Sequence, residues 1–441
     1  MLSVCSFIRC ARVGCVVGAV FLLGCSRGGE EQKGAAQSSS KPAASALSSA
    51  KAADSSKPAS SAAAEPAAGE APQGSGVNDF AALVSDACQP KDTELGAYLQ
   101  RGEISLSARE GGLSVSWMVQ LPNRPDAQIA FGGYDAQSKQ AARVRGIGTS
   151  QEHAPQVFAT GSTWTVAWFD SDGLAYVKPP WEMSSKPLPV EHLSAVGKEI
   201  AGNVGLASTP KGALVAVAPF GAERSQLGVF LFAPSDASEP SVRALGVSRH
   251  AKKPIMPAVA ADEKGYTVAF FDESGSLHAS RFDLEGKEGD VAHLVAPGGV
   301  ERKRLTLSSH DKGVLAIWEE AGDTIVARPL DMQAKPSAPA QVVAKTAKWF
   351  SAVPSKDGAL LCWVGQSPRE GRLLAARVSG ESAKPSEKGL DVLGDGRAVK
   401  DAPSCGEIGG RVAFAWMEVM SPTVSTKRAM LRTIEGNCIP K

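Results

Sequence analysis

The residues that could bind metals or carry out catalysis are sparse and scattered in this sequence. None of its six histidines forms a His-x-His or His-Glu-x-x-His pair, the spacings that often hold zinc. The sequence also has no Gly-x-Ser-x-Gly nucleophile turn and no glycine-rich loop that would bind phosphate. It therefore predicts no catalytic residue, no metal site and no cofactor.

Charged and aromatic residues at predicted turns form a candidate binding face. Its members are Asp170, Asp272, Glu319, Arg302, Arg304, Trp349 and Arg369. In the sequence Asp170-Ser-Asp172-Gly173, the two carboxylates could bind Ca²⁺, but a tight turn that favours Asp and Gly explains the same residues. Trp349 could anchor a partner, or it could pack under a loop.

These turns belong to a unit that occurs seven times. Its marker is a strand that ends in a large apolar residue in most copies. The marker strands end at Trp117, Trp168, Val217, Phe270, Trp318, Trp363 and Trp416, with spacings of 51, 49, 53, 48, 45 and 53 residues. A regular period of this length indicates a repeat architecture.

Each copy contains about four strands, and these predict the fold. Within the marker strand, large residues alternate with small ones, which is the period of two expected of a strand. Four strands in each of seven copies predict an all-β fold, a seven-bladed β-propeller of antiparallel blades. A β-solenoid is the alternative, although its coils are usually shorter. The sequence resembles propeller-type repeat domains in general and matches no named functional subfamily.

The last copy lacks a fourth strand, because little chain remains after Ile434. We expect Ala97-Tyr-Leu99 to supply it and so close the ring, which would leave no sheet edge exposed at the junction. Before this strand, Phe80, Leu83, Val84 and Cys88 have helical spacing, which predicts a short helix over residues 79–88.

Four cysteines lie in the repeat region and its closing segment: Cys88, Cys362, Cys405 and Cys438. Four cysteines allow three pairings. Ring closure favours a disulfide between Cys88 and Cys438, and Cys405–Cys438 is the alternative. Cys362 occupies a small-residue position of its strand, which indicates a buried packing residue that could reach Cys405.

The N-terminus has the features of a targeting segment. Arg9 and Arg12 precede an apolar run, Val13 to Leu23, that is too short to span a bilayer. The run ends in Leu22-Leu23-Gly24-Cys25, which resembles the lipobox of bacterial lipoproteins. This resemblance implies a signal peptide over residues 1–24 and a lipid, including palmitate, on Cys25. An ordinary signal peptide or an uncleaved anchor is the alternative. By the same resemblance, Ser26 after the cysteine implies the outer membrane, with the protein facing the periplasm or the cell surface.

Residues 26–77 are rich in Ala, Ser, Lys, Pro and Gly and predict a disordered tether. The expected organisation is a signal peptide (1–24), a lipid anchor and tether (25–77), a helix and closing strand (78–102) and a propeller (103–441). The formal charge of +1 falls to −1 when Arg9 and Arg12 are removed. Such a near-neutral chain gives no electrostatic reason to expect nucleic acid as a partner.

Three functions fit these features. The first is a membrane-anchored, monomeric propeller that binds an envelope protein or a glycan without catalysis. The alternative is a polysaccharide hydrolase or lyase of the cell envelope, which would need two or more carboxylates converging near the ring axis. The third is a structural part of a larger envelope complex, which a broad apolar patch would favour.

Overall fold

The chain is built from strands throughout the part that the structure describes. The computed structural model describes residues 70–82, 88, 91–99, 104–109, 111–120, 127–150, 155–160, 163–170, 173–177, 191–192, 204–220, 225–232, 242–366, 371–394, 399, 401–421 and 424–440. Within these residues there are 29 strands and a short 3-10 helix at Gly436–Cys438. No helix among them is both long enough and apolar enough to cross a membrane.

The strands form seven sheets, which we call blades 1 to 7. Blades 1 and 2 comprise β3 (Ile104–Arg109), β4 (Gly112–Gln120), β5 (Ala127–Tyr134), β6 (Gln140–Ser150), then β7 (Gln156–Thr160), β8 (Thr163–Asp170), β9 (Gly173–Val177) and β10 (Glu191–His192). Blades 3 and 4 comprise β11 (Gly205–Ser208), β12 (Leu214–Phe220), β13 (Gln226–Phe232), β14 (Val242–Val247), then β15 (Ile255–Asp262), β16 (Gly265–Phe271), β17 (Leu277–Asp283) and β18 (His293–Ala296).

The remaining blades use strands from both ends of the chain. Blades 5 and 6 comprise β19 (Arg302–His310), β20 (Gly313–Glu320), β21 (Thr324–Leu330), β22 (Gln341–Ala344), then β23 (Ala347–Ser355), β24 (Gly358–Gln366), β25 (Gly371–Ser379), β26 (Lys388–Asp391) and the added β1 (Asp79–Ala82). Blade 7 comprises β27 (Ser404–Ile408), β28 (Arg411–Ser421), β29 (Val424–Glu435) and β2 (Lys91–Leu99).

The first strand of every blade lines one shared cavity. Residues from β3, β7, β11, β15, β19, β23 and β27 surround a volume of about 530 Å³. Because each blade places its first strand at this cavity and its fourth strand at the outer edge, the sheets form a ring around a central channel. The chain is a seven-bladed β-propeller, as the repeats predicted.

Apolar side chains fill every gap between neighbouring blades. The described core consists of seven clusters, and each contains residues from two adjacent blades. Between blades 7 and 1, for example, Val115 and Trp117 of blade 1 pack against Ala413 and Ala415 of blade 7. Here the large face of one blade meets a face of small residues on the next, which allows the close packing of a protein interior.

Blade 3 departs from the repeat pattern by one residue. Leu214, Ala216 and Ala218 face blade 2, whereas Val215 and Val217 face blade 4. In blade 4, the marker residue Phe270 faces the preceding blade. The marker of blade 3 is therefore Ala218 rather than the predicted Val217. A shift of one residue reverses which face of a strand carries each side chain.

The ring is closed by a strand from the N-terminal side of the propeller. β2 pairs antiparallel with β29 over Lys91 to Leu99, a range that includes the predicted Ala97-Tyr-Leu99. Cys88 and Cys438 form a disulfide beside this junction, with Cα atoms 5.9 Å apart, and this is the pair that ring closure favoured. Cys362 and Cys405 are buried free thiols, so neither the alternative Cys405–Cys438 bond nor a Cys362–Cys405 bond is present.

Serine hydroxyls join the inner strands of blades 7, 1 and 2. Ser404 Oγ of blade 7 accepts a hydrogen bond from Leu106 N–H of blade 1, at 2.9 Å. Ser105 Oγ of blade 1 accepts one from Val157 N–H of blade 2, at 3.1 Å, and Ser107 repeats the contact at Ala159. The hydroxyls thus satisfy amide groups that an inner sheet edge would otherwise leave without a protein partner.

Two expectations for the N-terminal segment are wrong. Residues 79–82 form a strand rather than the predicted helix, because they pair with the outer edge of blade 6, and the rest of that predicted helix, apart from Cys88, lies outside the described residues. The predicted tether also ends too late, since Gln73 pairs with Gln341 of blade 5 and Val77 is buried. Residues 1–69 lie outside the described residues.

Candidate functional site

The mouth of the central channel is the strongest candidate site on the upper face. We call upper the face that carries the connections between blades and the turns between second and third strands. Here the channel opens into a space of about 370 Å³. Its described lining is mostly neutral, with apolar residues such as Met256, Pro257 and Phe350 beside hydroxyl groups such as Thr306 and Ser351.

Lys303 and Arg304 are the charged residues among those described at this mouth. The strand β19 places them there, because its first residues form a bulge between Arg302 and Arg304. Lys303 Nζ lies 3.8 Å from Glu301, and Arg304 Nε lies 3.9 Å from Glu319. Lys303 and Arg304 place two positive charges side by side at the mouth, and these charges can attract an anionic group on a ligand.

Glu319 supports the mouth from below the surface and is not exposed on it. Its side chain is 6% exposed, and burial raises the pKa of its carboxyl despite the opposing charges of Arg304 and Lys303. The N–H of Trp349 donates a hydrogen bond to this carboxylate. Glu319 therefore positions the start of blade 6 and Arg304, and a ligand at the mouth would meet the arginine first.

Arg302 is a structural residue. Its side chain is 4% exposed, and its Nε and Nη2 donate to Glu320 Oε1 at 3.3 and 3.1 Å. Its Nη1 donates to the carbonyl oxygens of Gly275 and Pro297. Because these contacts occupy the guanidinium, Arg302 links blades 4 and 5 and leaves ligand binding to its neighbours.

Asp272 organises the turn after β16. Its Oδ1 accepts hydrogen bonds from Ser274 Oγ at 2.6 Å and Ser276 N–H at 2.9 Å, and its Oδ2 lies 2.8 Å from His278 Nε2. Partial burial opposes ionisation of Asp272, but these hydrogen bonds outweigh it and lower the pKa of the carboxyl. The residue fixes its own turn, which is a common role of Asp at such positions.

The other predicted residues of the face have separate positions. Trp349 is half-buried, has a φ of 52° and packs against the core between blades 6 and 7, so packing is its role. Asp170 is the last residue of β8. Asp172 and Arg369 lie outside the described residues. The structure thus brings Arg304, Glu319 and Trp349 together and places Asp272 in the turn of another blade.

Below its mouth, the channel is almost free of charge. Among the described lining residues, Glu407 alone carries a carboxylate, and its Oε1 lies 2.7 Å from Arg377 Nη1. The described residues also contain no group of three or more His, Cys, Asp or Glu that could hold a metal ion.

The polar lining of the mouth was not predicted from the sequence. Thr306 and Ser351 come from the first strands of blades 5 and 6, which were recognised as strands but not as channel walls. A signal was present, because a polar residue in the innermost strand of each repeat must face either a neighbouring blade or the axis.

Comparison with known proteins finds similarity in structure only. No protein-family model matches the chain, and no curated protein is similar to it in sequence. AofleA from Arthrobotrys oligospora is 11% identical, with a TM-score of 0.46, over 72% of this chain and 94% of that one. A protein of unknown function from Dyadobacter fermentans is 12% identical, with a TM-score of 0.46, over 80% of this chain and 100% of that one. The polysaccharide lyase Uly1 is 7% identical, with a TM-score of 0.47, over 75% of this chain and 89% of that one. Nothing about a ligand follows from similarities at this level.

Proposed function

We propose that this protein is a lipid-anchored envelope protein whose propeller binds a protein or glycan without transforming it. The observation that carries the proposal is the channel mouth, where Lys303 and Arg304 stand in an otherwise neutral described lining. Such a site can attract an anionic group and hold apolar or hydroxyl-bearing parts of a ligand beside it.

The channel argues against the alternative of a polysaccharide hydrolase. Glycoside hydrolysis usually requires two carboxyl groups about 5–10 Å apart. The described channel lining offers Glu407, and Arg377 already pairs with it. The described channel lining is almost uncharged and its mouth is positively charged. This combination suits ligand binding better than acid–base catalysis on a sugar.

The binding role is tested by affinity capture. Residues 26–441 would be immobilised and exposed to an envelope extract of the source organism, beside a Lys303→Glu/Arg304→Gln variant. We expect one protein or glycan to be retained in proportion to the wild-type chain and to be lost from the variant. Lys264→Glu is the matched control, because Lys264 is exposed on the opposite face. Equal retention by wild type and variant, or release of sugar products from envelope polysaccharide, would refute the proposal.

The lipid anchor rests on the lipobox at Leu22 to Cys25 and needs its own test. Cells expressing the full chain would be fed an alkyne analogue of palmitate. We expect label on the wild-type chain in the membrane fraction and no label on a Cys25→Ser variant. Label that persists in the variant would contradict the assignment of Cys25, and fractionation of the two membranes would test the outer-membrane location.

A further inference from the structure

The largest of the cavities that we describe lies between the lower turns of blades 6 and 7, on the face opposite the channel mouth. It is a groove of about 950 Å³, large enough for a small organic ligand. Its floor is apolar and contains the buried residues Ala359, Val378, Ile408 and Val412. Two arginines, Arg377 and Arg411, stand in its walls.

Both arginines are held in place by one nitrogen. Arg377 Nη1 donates to Ser355 Oγ at 2.8 Å and to Glu407 Oε1 at 2.7 Å. Arg411 Nη1 donates to Glu435 Oε1. Each guanidinium is therefore oriented through Nη1 alone, and its other edge, formed by Nε and Nη2, has no hydrogen-bond acceptor among the described residues.

Elsewhere in this protein the same edge of arginine binds a carboxylate. Arg432 uses Nε and Nη2 to bind the two oxygens of Asp92, at 2.6 and 3.0 Å. Arg372 and Arg302 use the same two nitrogens on Asp391 and Glu320. The planar pair of Nε–H and Nη2–H groups, which we call the fork, matches the geometry of a carboxylate. An arginine that is held in place but has no acceptor at its fork therefore indicates a binding site for an acid.

The lack of a hydrogen-bond acceptor among the described residues is clearest at Arg411. Its side chain is 24% exposed, yet its Nε is buried from solvent and has no hydrogen-bond partner among the described residues. A buried donor without a partner costs free energy, which a movement of the guanidinium toward a ligand oxygen would recover. The adjacent turn, Gly409-Gly410, borders the groove, and an added Cβ at either glycine would meet no atom within 4 Å.

We propose that this groove binds a carboxylate attached to an apolar body, and that Arg411 and Arg377 bind the carboxylate through their Nε–Nη2 edges. The apolar floor would take the rest of the ligand. Asp357, Glu387 and Glu407 also line the groove, beside Lys356 and Lys384. These acids disfavour a doubly charged phosphate more than a singly charged carboxylate.

The test uses hexanoate as the probe and its uncharged analogue hexanamide as the comparison, with residues 26–441 in solution. Binding would be followed by the amide resonances of Gly409 and Gly410. We expect saturable shifts with hexanoate, and at least about tenfold weaker binding of hexanamide, since a hydrogen bond to a charged group contributes roughly 1.5–3 kcal/mol. Equal binding of both compounds, or shifts that do not saturate, would overturn the proposal.

Substitutions of the two arginines distinguish binding by the paired N–H groups from attraction by positive charge alone. Arg411→Lys and Arg377→Lys keep the positive charge and remove the planar fork, and each should weaken hexanoate binding about tenfold. Arg249→Lys is the matched control, because Arg249 is 62% exposed and lies on the connection between blades 3 and 4. Unchanged affinity in both groove variants, with unchanged melting temperatures, would overturn the assignment.

Two further probes define the source of the acid. An N-acetylated phenylalanyl-leucine dipeptide with a free carboxylate tests for a peptide C-terminus, and tighter binding than hexanoate would support that source. Tighter binding of hexanoate would support a free organic acid. Inorganic phosphate binding as tightly as hexanoate would refute a carboxylate site. The Lys303→Glu/Arg304→Gln variant should bind hexanoate normally, so the outcome is independent of the channel mouth.

Discussion

The described arginines Arg328 and Arg432 use their nitrogens differently from Arg377 and Arg411. Arg328 is 2% exposed and donates from Nη1 to Val295 O of blade 4 at 2.6 Å and from Nε to Ala338 O at 3.0 Å. Arg432 similarly links blade 7 to Val392 O beyond the last strand of blade 6. These residues fasten blades together, and Arg377 also joins blade 6 to Glu407 of blade 7, but Arg377 and Arg411 do so or hold their own blade through Nη1 alone.

His310 is a partly buried residue whose protonation bears on stability. It ends β19 on the lower face, and its Nδ1 accepts a hydrogen bond from Lys312 N–H at 3.3 Å. Burial lowers the pKa of the imidazole, against the opposing charges of Asp311 and Glu381 and alongside that of Lys312. The ring also fits against Gly380 of blade 6, where an added Cβ would lie 2.8 Å from it. The folded state therefore favours the neutral imidazole.

This shift predicts a loss of stability in mild acid. Below the ordinary histidine pKa of 6.5, the unfolded chain takes up a proton that folded His310 does not, so the free energy of unfolding falls as pH drops through that value. We expect His310→Gln to reduce the pH dependence of urea denaturation between pH 7 and 5. His250→Gln, at a more accessible histidine, is the control. Identical pH profiles for wild type and His310→Gln would contradict the prediction.

At the scale of elements, the N-terminal segment acts as a belt around the outer edges of three blades. We use belt for the described residues of this segment, 70–82, 88 and 91–99. Val77 N–H bonds to Val343 O of blade 5, β1 pairs with β26 of blade 6, and β2 pairs with β29 of blade 7. The Cys88–Cys438 disulfide fixes the belt between its contacts with blades 6 and 7. The ring is thus held by a covalent bond as well as by strand pairing.

Loss of the disulfide should destabilise the closed ring. A Cys88→Ser variant removes a bond between residues 350 positions apart, and we expect a decrease of about 2–5 kcal/mol in the free energy of unfolding. Hydrogen exchange in β2 should increase, because that strand gains freedom to open. Cys88→Ser/Cys438→Ser should resemble the single variant, since either change breaks the same bond. A single variant as stable as the oxidised wild type would show that the bond contributes nothing.

The sequence predicted the elements well where their pattern is local. The alternation inside each repeat gave the blades, but it misplaced the marker of blade 3, because both Val217 and Ala218 fit the sequence and only packing against blades 2 and 4 decides between them. The predicted helix at residues 79–88 failed for a non-local reason. Phe80 packs edge-on against Trp363, with ring centroids 6.0 Å apart, and a strand edge about 310 residues away determines its conformation.

The candidate site was predicted only in part, because non-local contacts between blades also determine how its residues are used. Turn positions identified Arg304 and Glu319, but their types alone do not show that Arg302 is fully engaged while Arg304 remains at the channel mouth. The vacant forks of Arg377 and Arg411 also left no local signal. Which nitrogen of an arginine is used depends on contacts between blades, and the repeat pattern does not encode them.

At the scale of the whole molecule, the belt joins parts of the chain that the repeats alone would leave separate. Val77 is 5% exposed, within the core between blades 5 and 6, and Phe80 packs at its margin. The outer part of blades 5 and 6 is therefore completed by residues that belong to no repeat.

Deletion of residues 26–82 should weaken the propeller without abolishing it. The blades keep all four strands, but burial of Val77 and Phe80 is lost, and we expect a decrease of about 2–4 kcal/mol in the free energy of unfolding. Deletion of residues 26–69 is the control and should leave stability unchanged, because it keeps the belt. Urea denaturation of both truncations measures the difference, and equal stability would contradict a stabilising role for residues 70–82.

The belt also determines the order in which the molecule can be completed during its synthesis. Residues 70–99 are made early, but the strands that they pair with and the cysteine that bonds to Cys88 lie between Ala340 and Cys438, near the end of the chain. Blades 1 to 4 have all their strands once residue 296 has been made, whereas the belt must wait without its partners until translation is nearly finished. Contacts of such long sequence separation are slow to form. A chain released before β29 has been made therefore has an open ring, and β2, one of its first-made strands, is left without its partner and exposed to proteases.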